Sequence, residues 1–93
     1  MTVQVKILFH AMFKEAAGTR EITEEFSDNV TVGKLLDRLV RKYDKDFKTI
    51  VDPKTGQVNA DTLVMLNGQS VRKPDTPLKN NDVIMISVPV GGG

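Results

Sequence analysis

The chain has 93 residues, with 13 basic and 12 acidic side chains and a formal net charge of +1. This length indicates one domain with one hydrophobic core, without room for a separate substrate domain. The near-neutral charge, spread without blocks of one sign, disfavours nucleic acid and anionic membranes as partners. Cysteine is absent, which excludes disulfides, thiolate metal sites and a catalytic thiol.

The first segment alternates apolar and polar residues, which predicts a β-strand. The residues on its expected core face are Val3, Val5, Ile7 and Phe9. The opposite face carries Gln4, Lys6, Leu8 and His10. This segment lacks a hydrophobic signal core, and no apolar run in the chain is long enough to cross a bilayer. We therefore expect a soluble, cytoplasmic protein.

A short helical turn and the main helix come next. Ala11 to Ala17 is expected to form the turn, closed by Gly18, and residues 19–26 a second strand. Thr31 occupies the N-cap position of the main helix. Apolar residues recur behind it at the spacing of one helix face, namely Val32, Leu35, Leu36, Leu39, Val40 and Tyr43. The opposite face is charged and expected to be solvated, with Asp37 and Arg41 paired one turn apart.

The second half of the chain reads as turns between short strands. Asp52 to Gly56 has the residues of a tight turn and is expected to join strands around residues 49–51 and 57–59. Asn67-Gly68 is the dipeptide that best fits a two-residue hairpin turn between two further strands. After a last turn, residues 83–88 form a dense β-forming run that predicts the final strand.

This order predicts an α+β protein of the β-grasp class, with a mixed sheet and one main helix packed on one face. Residues 1–88 would form the domain and residues 89–93 a flexible tail. A single helix covers only one side of the sheet, so the other side, here named the open face, is expected to be a partly apolar docking surface. The candidate docking residues are Leu8, His10, Met65, Met85 and Ser87.

The sequence ends with Pro89, Val90 and the three glycines Gly91, Gly92 and Gly93. Glycine has no Cβ, so such a segment can pass through a channel too narrow for other residues and present a free carboxylate to another enzyme. Terminal glycines are also typical of an unstructured end or a cloning remnant. Here they follow a β-forming run after only two residues, which favours a tail launched directly from a strand.

No catalytic or metal-binding pattern is evident elsewhere in the sequence. Residues 32–35 place a glycine and a lysine at a helix start but lack the further glycines and the Ser or Thr of a phosphate-binding loop. His10 has no triad-like neighbours, which favours a contact on the open face over catalysis. The aspartates of the central loops, Asp44, Asp46, Asp52 and Asp61, lack metal-ligand spacing. We therefore expect no catalytic residue, metal or cofactor in this chain.

The remaining candidate for chemistry is the Gly93 carboxylate, as a group acted upon by another protein. An ionised carboxylate is a poor electrophile until it is converted to a mixed anhydride, typically with the AMP half of ATP. A separate adenylating enzyme would have to carry out this activation.

Several segments occur in an order typical of one family. They are Leu8-Phe9-His10-Ala11, Lys14-Glu15-Ala16-Ala17-Gly18, Thr31-Val32 with Leu35, Leu36, Leu39 and Tyr43, Asn67-Gly68, Thr76-Pro77-Leu78, Asn81-Asp82-Val83, and Pro89-Val90 before Gly92-Gly93. On these segments the chain resembles, over nearly its full length, the MoaD/ThiS-type ubiquitin-like sulfur carriers. That family includes the small subunit of molybdopterin synthase and the small archaeal modifier proteins.

The resemblance implies that Gly93 is adenylated by an E1-like enzyme. It would then become a thiocarboxylate that donates sulfur, for example in molybdopterin synthesis, or be conjugated to lysines of target proteins. Residues 89–92 would be the tether. The molybdopterin synthase large subunit would be a further partner, with this chain at most its small, non-catalytic subunit. ATP would be used by the adenylating enzyme and not held by this chain.

Some positions depart from the molybdopterin-synthase small subunits. Those usually carry two prolines before the tail, where this chain has only Pro89, and often a glycine where it has Asn81. They also tend to have aromatic residues at the positions of His10 and Ser87. The turn from Pro53 to Gly56 is more like the archaeal members. The sulfur acceptor, whether a pterin, a thiazole or a tRNA base, and the oligomeric state stay open.

Two other classes of function compete with the carrier. A ubiquitin-like binding module without chemistry would use the same open face and leave the tail idle. A nucleic-acid-binding β-grasp domain is disfavoured by the near-neutral charge and by the low aromatic content of 5%, because such domains need cationic and stacking side chains.

Overall fold

The computed structural model of the chain describes residues 2–27, 29–43 and 45–88. The strands in that part of the chain are β1 (Thr2–Phe9), β2 (Glu21–Ser27), β3 (Leu63–Leu66), β4 (Gln69–Ser70) and β5 (Val83–Ser87). The helices are α1 (Ala11–Ala17), α2 (Val32–Tyr43) and a 3₁₀ helix at Lys45–Thr49. The predicted tail, residues 89–93, lies outside the described residues.

The five strands form one mixed sheet in the order β2-β1-β5-β3-β4. Strand β1 pairs antiparallel with β2 and parallel with β5, and the parallel register places Lys6 opposite Val83. Strand β5 also pairs antiparallel with β3, so that Met85 lies opposite Met65. The strand nearest the C-terminus therefore lies inside the sheet beside the first strand, which confirms the predicted β-grasp arrangement.

The core covers one face of this sheet. The predicted alternation in β1 is confirmed, because Val5 and Ile7 are fully buried and their neighbours Gln4 and Lys6 are exposed. Strand β5 adds Ile84 and Ile86 to the same core, and α2 adds Leu35, Leu36 and Leu39. These residues form one continuous cluster, so a single helix stripe and a single sheet face account for most of the apolar burial.

Four aromatic rings, those of Phe9, Phe13, Tyr43 and Phe47, pack together at the end of the core where α1 and the 3₁₀ helix meet. The ring centroids of Phe9 and Phe47 are 5.5 Å apart and those of Phe13 and Phe47 are 5.2 Å apart, in edge-to-face geometry. Such pairs are a favoured arrangement of aromatic quadrupoles. Phe47 therefore joins α1 to the end of β1.

The start of α2 is closed by its predicted cap and by a distant loop. The Lys34 N–H donates to Thr31 Oγ1 at 3.3 Å, which confirms Thr31 as the N-cap. The N–H groups of Val32 and Gly33 donate to the carbonyl oxygens of Thr76 and Pro74, at 2.9 and 2.8 Å. The first amides of the helix are thus used within the fold, in agreement with the sequence argument against a phosphate-binding loop here.

The prediction of two short strands around residues 49–51 and 57–59 is wrong. Thr49 ends the 3₁₀ helix, and only a single bridge joins Val51 to Val58. Phe47 and Ile50 are both fully buried, and a three-residue spacing places both on one side of a helical turn but not of a strand. The predicted tight turn from Asp52 to Gly56 is confirmed, because the Gly56 N–H donates to the Asp52 carbonyl at 2.7 Å.

Gly33 provides a test of the contact between α2 and the loop. A Cβ at this position would lie 2.9 Å from Pro74 Cβ and 3.0 Å from the Pro74 carbonyl oxygen. We predict that Gly33→Ala lowers the free energy of unfolding by about 1 to 2 kcal/mol, because overpacking displaces the loop. Urea denaturation measures this. The control Arg41→Ala, on the exposed face of the same helix, should change it by less than about 0.5 kcal/mol. An unchanged or higher stability for Gly33→Ala would contradict the prediction.

A charged network fastens α2 to the edge strand β2. Glu24, whose side chain is only 16% exposed, accepts hydrogen bonds from Arg38 at 3.3 Å and from Lys42 at 2.9 Å. The hydrogen bond from Glu24 raises the pKa of Lys42 above its ordinary value. Arg38 also donates to the Glu25 carbonyl at 2.7 Å and lies over the ring of Phe26. The network thereby covers part of an edge that could otherwise pair with another chain.

We predict that Glu24→Gln lowers the free energy of unfolding at neutral pH by about 0.5 to 1 kcal/mol, since the Arg38 and Lys42 side chains of these pairs are about half exposed to solvent. The raised pKa of Lys42 means that its contribution is present below its unfolded-state pKa and is lost as pH rises through its folded-state pKa. The difference between variant and wild type should therefore shrink at a pH above the ordinary lysine pKa of about 10.4. Urea denaturation at both pH values measures it.

Asp37→Asn is the matched control for this network. It removes the exposed Asp37–Arg41 pair, in which the charged atoms lie 3.1 Å apart as predicted from the sequence. Its cost should stay below about 0.5 kcal/mol. If the two variants lose the same stability, the Glu24 network has no special role.

Candidate functional site

Three of the predicted docking residues form a row across the open face. Leu8 of β1 lies beside Met85 of β5, and Met85 lies opposite Met65 of β3. All three side chains are half-buried. The alternation of each strand places them on the side of the sheet opposite the core. The structure therefore brings Leu8, Met65 and Met85 together as an apolar patch at the centre of the open face.

The other two predicted residues lie at one end of this row. Ser87 stands opposite Leu63 at the end of β5 and is only 8% exposed. Its contribution to the accessible surface is thus small. His10 follows β1 and is exposed, and its backbone N–H donates to the Ile86 carbonyl at 3.0 Å. His10 and Ser87 therefore both lie where β5 ends.

The end of β5 is held on both edges. Ile86 pairs with Phe9 of β1 on one side and with Val64 of β3 on the other. Both Ile86 and its neighbour Ile84 are fully buried on the core face. The chain consequently enters the segment 89–93 from a fixed position between two strands. The predicted roles of Pro89, Val90, Gly91, Gly92 and Gly93 fall outside the described residues and stay predictions.

The beginning of β5 is fixed by the hairpin turn that the sequence predicted. Asn67 and Gly68 have φ values of 50° and 86°, as a two-residue hairpin turn with two left-handed positions requires. The Asn67 side chain also accepts the Val83 N–H and donates to Asp82, both at 2.9 Å. Asn81 has a φ of 72°, the left-handed conformation that a glycine would otherwise supply. The turn signal was visible in the sequence, but the second use of Asn67 was not.

A hollow of about 410 Å³ lies where β1 runs into α1. Its lining includes His10, Lys14 and Arg20, here named the basic corner, together with Leu8 and Glu21. Ala11, which turns the chain there, has a φ of 54°, an uncommon left-handed value for a residue with a Cβ. Sequence reasoning missed Lys14 and Arg20, because no motif spacing connects them with His10.

A larger hollow, of about 700 Å³, lies elsewhere. It is formed by the start of α2 and the loops that contain Pro53 and Pro74. None of the predicted site residues lines it. This hollow therefore belongs to the helix side of the molecule, and the open face is on the other side of the sheet.

Two further findings concern residues 2–27, 29–43 and 45–88. No cluster of three or more His, Cys, Asp or Glu side chains there is arranged to hold a metal ion. Nor does that part of the chain include a helix of the length and apolarity needed to cross a membrane.

The mixed sheet, the helix packed on one face and the open face together define a ubiquitin-like β-grasp protein. The model of the ThiS family matches residues 7–93. The chain belongs to the ThiS family, which comprises ubiquitin-like sulfur carriers and small archaeal modifiers.

Comparison with known proteins gives the same assignment. The chain is similar to small archaeal modifier protein 3 of Haloferax volcanii, with 30% identity over 98% of this chain and 100% of that protein. Its structure is similar to that of the Haloferax volcanii HVO 2177 protein, with a TM-score of 0.85, 28% identity and coverage of 99% of this chain and 88% of that chain. The small archaeal modifier protein 1 of Methanosarcina acetivorans gives a TM-score of 0.77 at 29% identity, covering 100% of this chain and 99% of its own.

Proposed function

We propose that this protein carries sulfur, or is joined to target proteins, through the carboxylate of Gly93 after activation by a separate E1-like adenylating enzyme. One observation carries the proposal: β5 is locked between β1 and β3 and leads directly into Pro89 and the glycines. A strand held on both edges gives the tail a defined origin. The match to the ThiS family through residue 93 supports the same use of the tail.

The proposed activation has two steps. A Gly93 carboxylate oxygen attacks the α-phosphorus of ATP, the bond to pyrophosphate breaks, and an acyl-adenylate forms. Hydrosulfide then attacks the carbonyl carbon and displaces AMP, which leaves a thiocarboxylate and releases one proton. In conjugation, the amine of a target lysine displaces the leaving group instead and forms an isopeptide bond. Both outcomes share the adenylate, so the enzyme that forms it is the necessary partner.

The open face is the proposed docking surface for that enzyme. Leu8, Met65 and Met85 form a half-buried apolar patch, and methionine and leucine side chains bury well against a partner. His10 and Ser87 lie at the end of β5 from which the tail leaves. A partner seated on the patch would therefore be beside the tail. The molybdopterin synthase large subunit is a second proposed occupant of the same face, with this chain as its non-catalytic subunit.

The proposed reaction takes place in the cytoplasm, where the adenylating enzyme has ATP. We predict that incubation of the protein with ATP, sulfide and the adenylating enzyme of the same organism exchanges one oxygen of Gly93 for sulfur. Mass spectrometry of the intact protein measures the change, and peptide mapping places it on the terminal glycine. An unchanged mass despite tight binding to the enzyme would instead support the non-catalytic binding module.

Deletion of Gly92 and Gly93 tests the role of the tail separately. The shortened protein should lose activation completely, while its free energy of unfolding should change by less than about 0.5 kcal/mol, because the fold is built from residues before the tail. Urea denaturation and ATP–pyrophosphate exchange measure the two effects. A large loss of stability would assign the glycines a structural role and contradict the proposal.

The docking surface has its own test. We predict that Met85→Glu raises the KM of the adenylating enzyme for this protein about tenfold or more, since a charge at the centre of an apolar interface costs at least about 1.4 kcal/mol. Thr23→Glu is the matched control. Thr23 lies opposite Lys6 on the edge strand β2 and is exposed, so the same charge there should change KM less than about twofold. Equal effects would rule out the apolar patch as the contact.

A further inference from the structure

We infer that the basic corner, His10, Lys14 and Arg20, is a second docking element that binds an acidic segment of the adenylating enzyme. The inference rests on the proposed function, because it names the chemistry by which the same enzyme would be recognised beside the tail. It assigns to α1 and the start of β2 a role that the open face alone does not provide.

The two permanent cations of this corner, Lys14 and Arg20, line the same hollow and have no ion-pair partner among the described residues. Ion pairs within the described ranges engage Lys6, Arg38, Arg41 and Lys42. None of these pairs includes Lys14 or Arg20. Both side chains are exposed, and they stand between two hollows of about 410 and 640 Å³ that they line together.

The carboxylates near the corner do not neutralise it. Glu21 lines both hollows, but its Oε2 lies 4.0 Å from Lys6 Nζ, so its charge is already shared. Glu15 lines only the hollow of about 640 Å³. The hollow of about 410 Å³ reaches His10 and the end of β1. Its lining therefore has the two permanent positive charges of Lys14 and Arg20 and one carboxylate, that of Glu21, which is already paired with Lys6. Such a site favours an anionic group on the partner.

The backbone holds the corner in place. The Gly18 N–H donates to the Lys14 carbonyl at 3.0 Å, and Gly18 has a left-handed φ of 76°, which closes α1. The Phe9 N–H donates to the Arg20 carbonyl at 2.8 Å, which ties Arg20 to the end of β1. The two side chains thus extend from backbone positions that the fold holds in place.

The location of the corner connects it to the tail. The His10 backbone N–H donates to the Ile86 carbonyl, so the corner begins beside the last residues of β5. Five extended residues span at most about 18 Å, and an enzyme that holds Gly93 must therefore approach the end of β5 closely. An acidic segment at the rim of its tail-binding channel would meet Lys14 and Arg20 and orient the carrier during encounter.

The test is charge reversal with matched controls. Lys14→Glu combined with Arg20→Glu is compared with Lys54→Glu combined with Lys79→Glu, which changes the same charge at two exposed lysines outside the corner. ATP–pyrophosphate exchange by the adenylating enzyme gives kcat and KM for the carrier at low and high salt. We expect the corner variant to raise KM about tenfold or more with kcat within about twofold, and to flatten the rise of KM with salt. The control variant should behave as wild type.

The possible results separate a failure of this inference from a failure of the proposed function on which it rests. Wild-type protein that undergoes no exchange with the enzyme would overturn both. Wild-type activity with the same KM for the corner and control variants would overturn the inference alone. A last measurement adds AMP to the carrier without enzyme and records the amide resonances of the carrier. If AMP shifts the amide resonances of residues 14 and 20 while the corner variant keeps the wild-type KM, the corner binds nucleotide phosphate and the proposed acidic segment is wrong.

Discussion

The hydrogen bonding of β5 along both of its edges, to β1 on one side and to β3 on the other, is the constraint around which the molecule is arranged. It brings residues from the two ends of the described chain into one parallel pair. It also places Ile84 and Ile86 at the centre of the core, against the stripe of α2. The segment that follows β5 consequently starts from a strand that is hydrogen-bonded along both edges.

The two faces of the sheet are used differently because only one of them is covered. α2 and the 3₁₀ helix bury the core face, while Leu8, Met65 and Met85 stay half-buried on the open face. Polar groups surround that patch, including the Lys6–Glu21 pair and the basic corner. An apolar centre with a polar rim is the usual composition of a protein-binding surface. In the proposed function, the open face of the sheet is recognised by the enzyme and the glycine tail supplies the reacting carboxylate.

Much of the fold could be predicted from the sequence, because local signals determine it. The alternation of Val5 and Ile7, the N-cap Thr31 and the turn Asn67-Gly68 each specify one conformation within a few residues. The helical turn at Phe47 and Ile50 was missed, since Phe47 packs against Phe13, a residue that the fold brings there from far along the chain. The contact of Gly33 with Pro74 was missed for the same reason.

The candidate site was predictable only where strand alternation reports it. The row of Leu8, Met65 and Met85 follows from alternation and strand order, whereas Lys14 and Arg20 approach His10 only after Gly18 closes α1. The position of β5 has a further consequence during biosynthesis. A ribosome-bound chain has β1 long before β5, and non-local parallel pairing is slow to form. A nascent chain therefore offers a partner no complete sheet until residues 83–87 have emerged, so recognition of that sheet would itself discriminate finished molecules from unfinished ones.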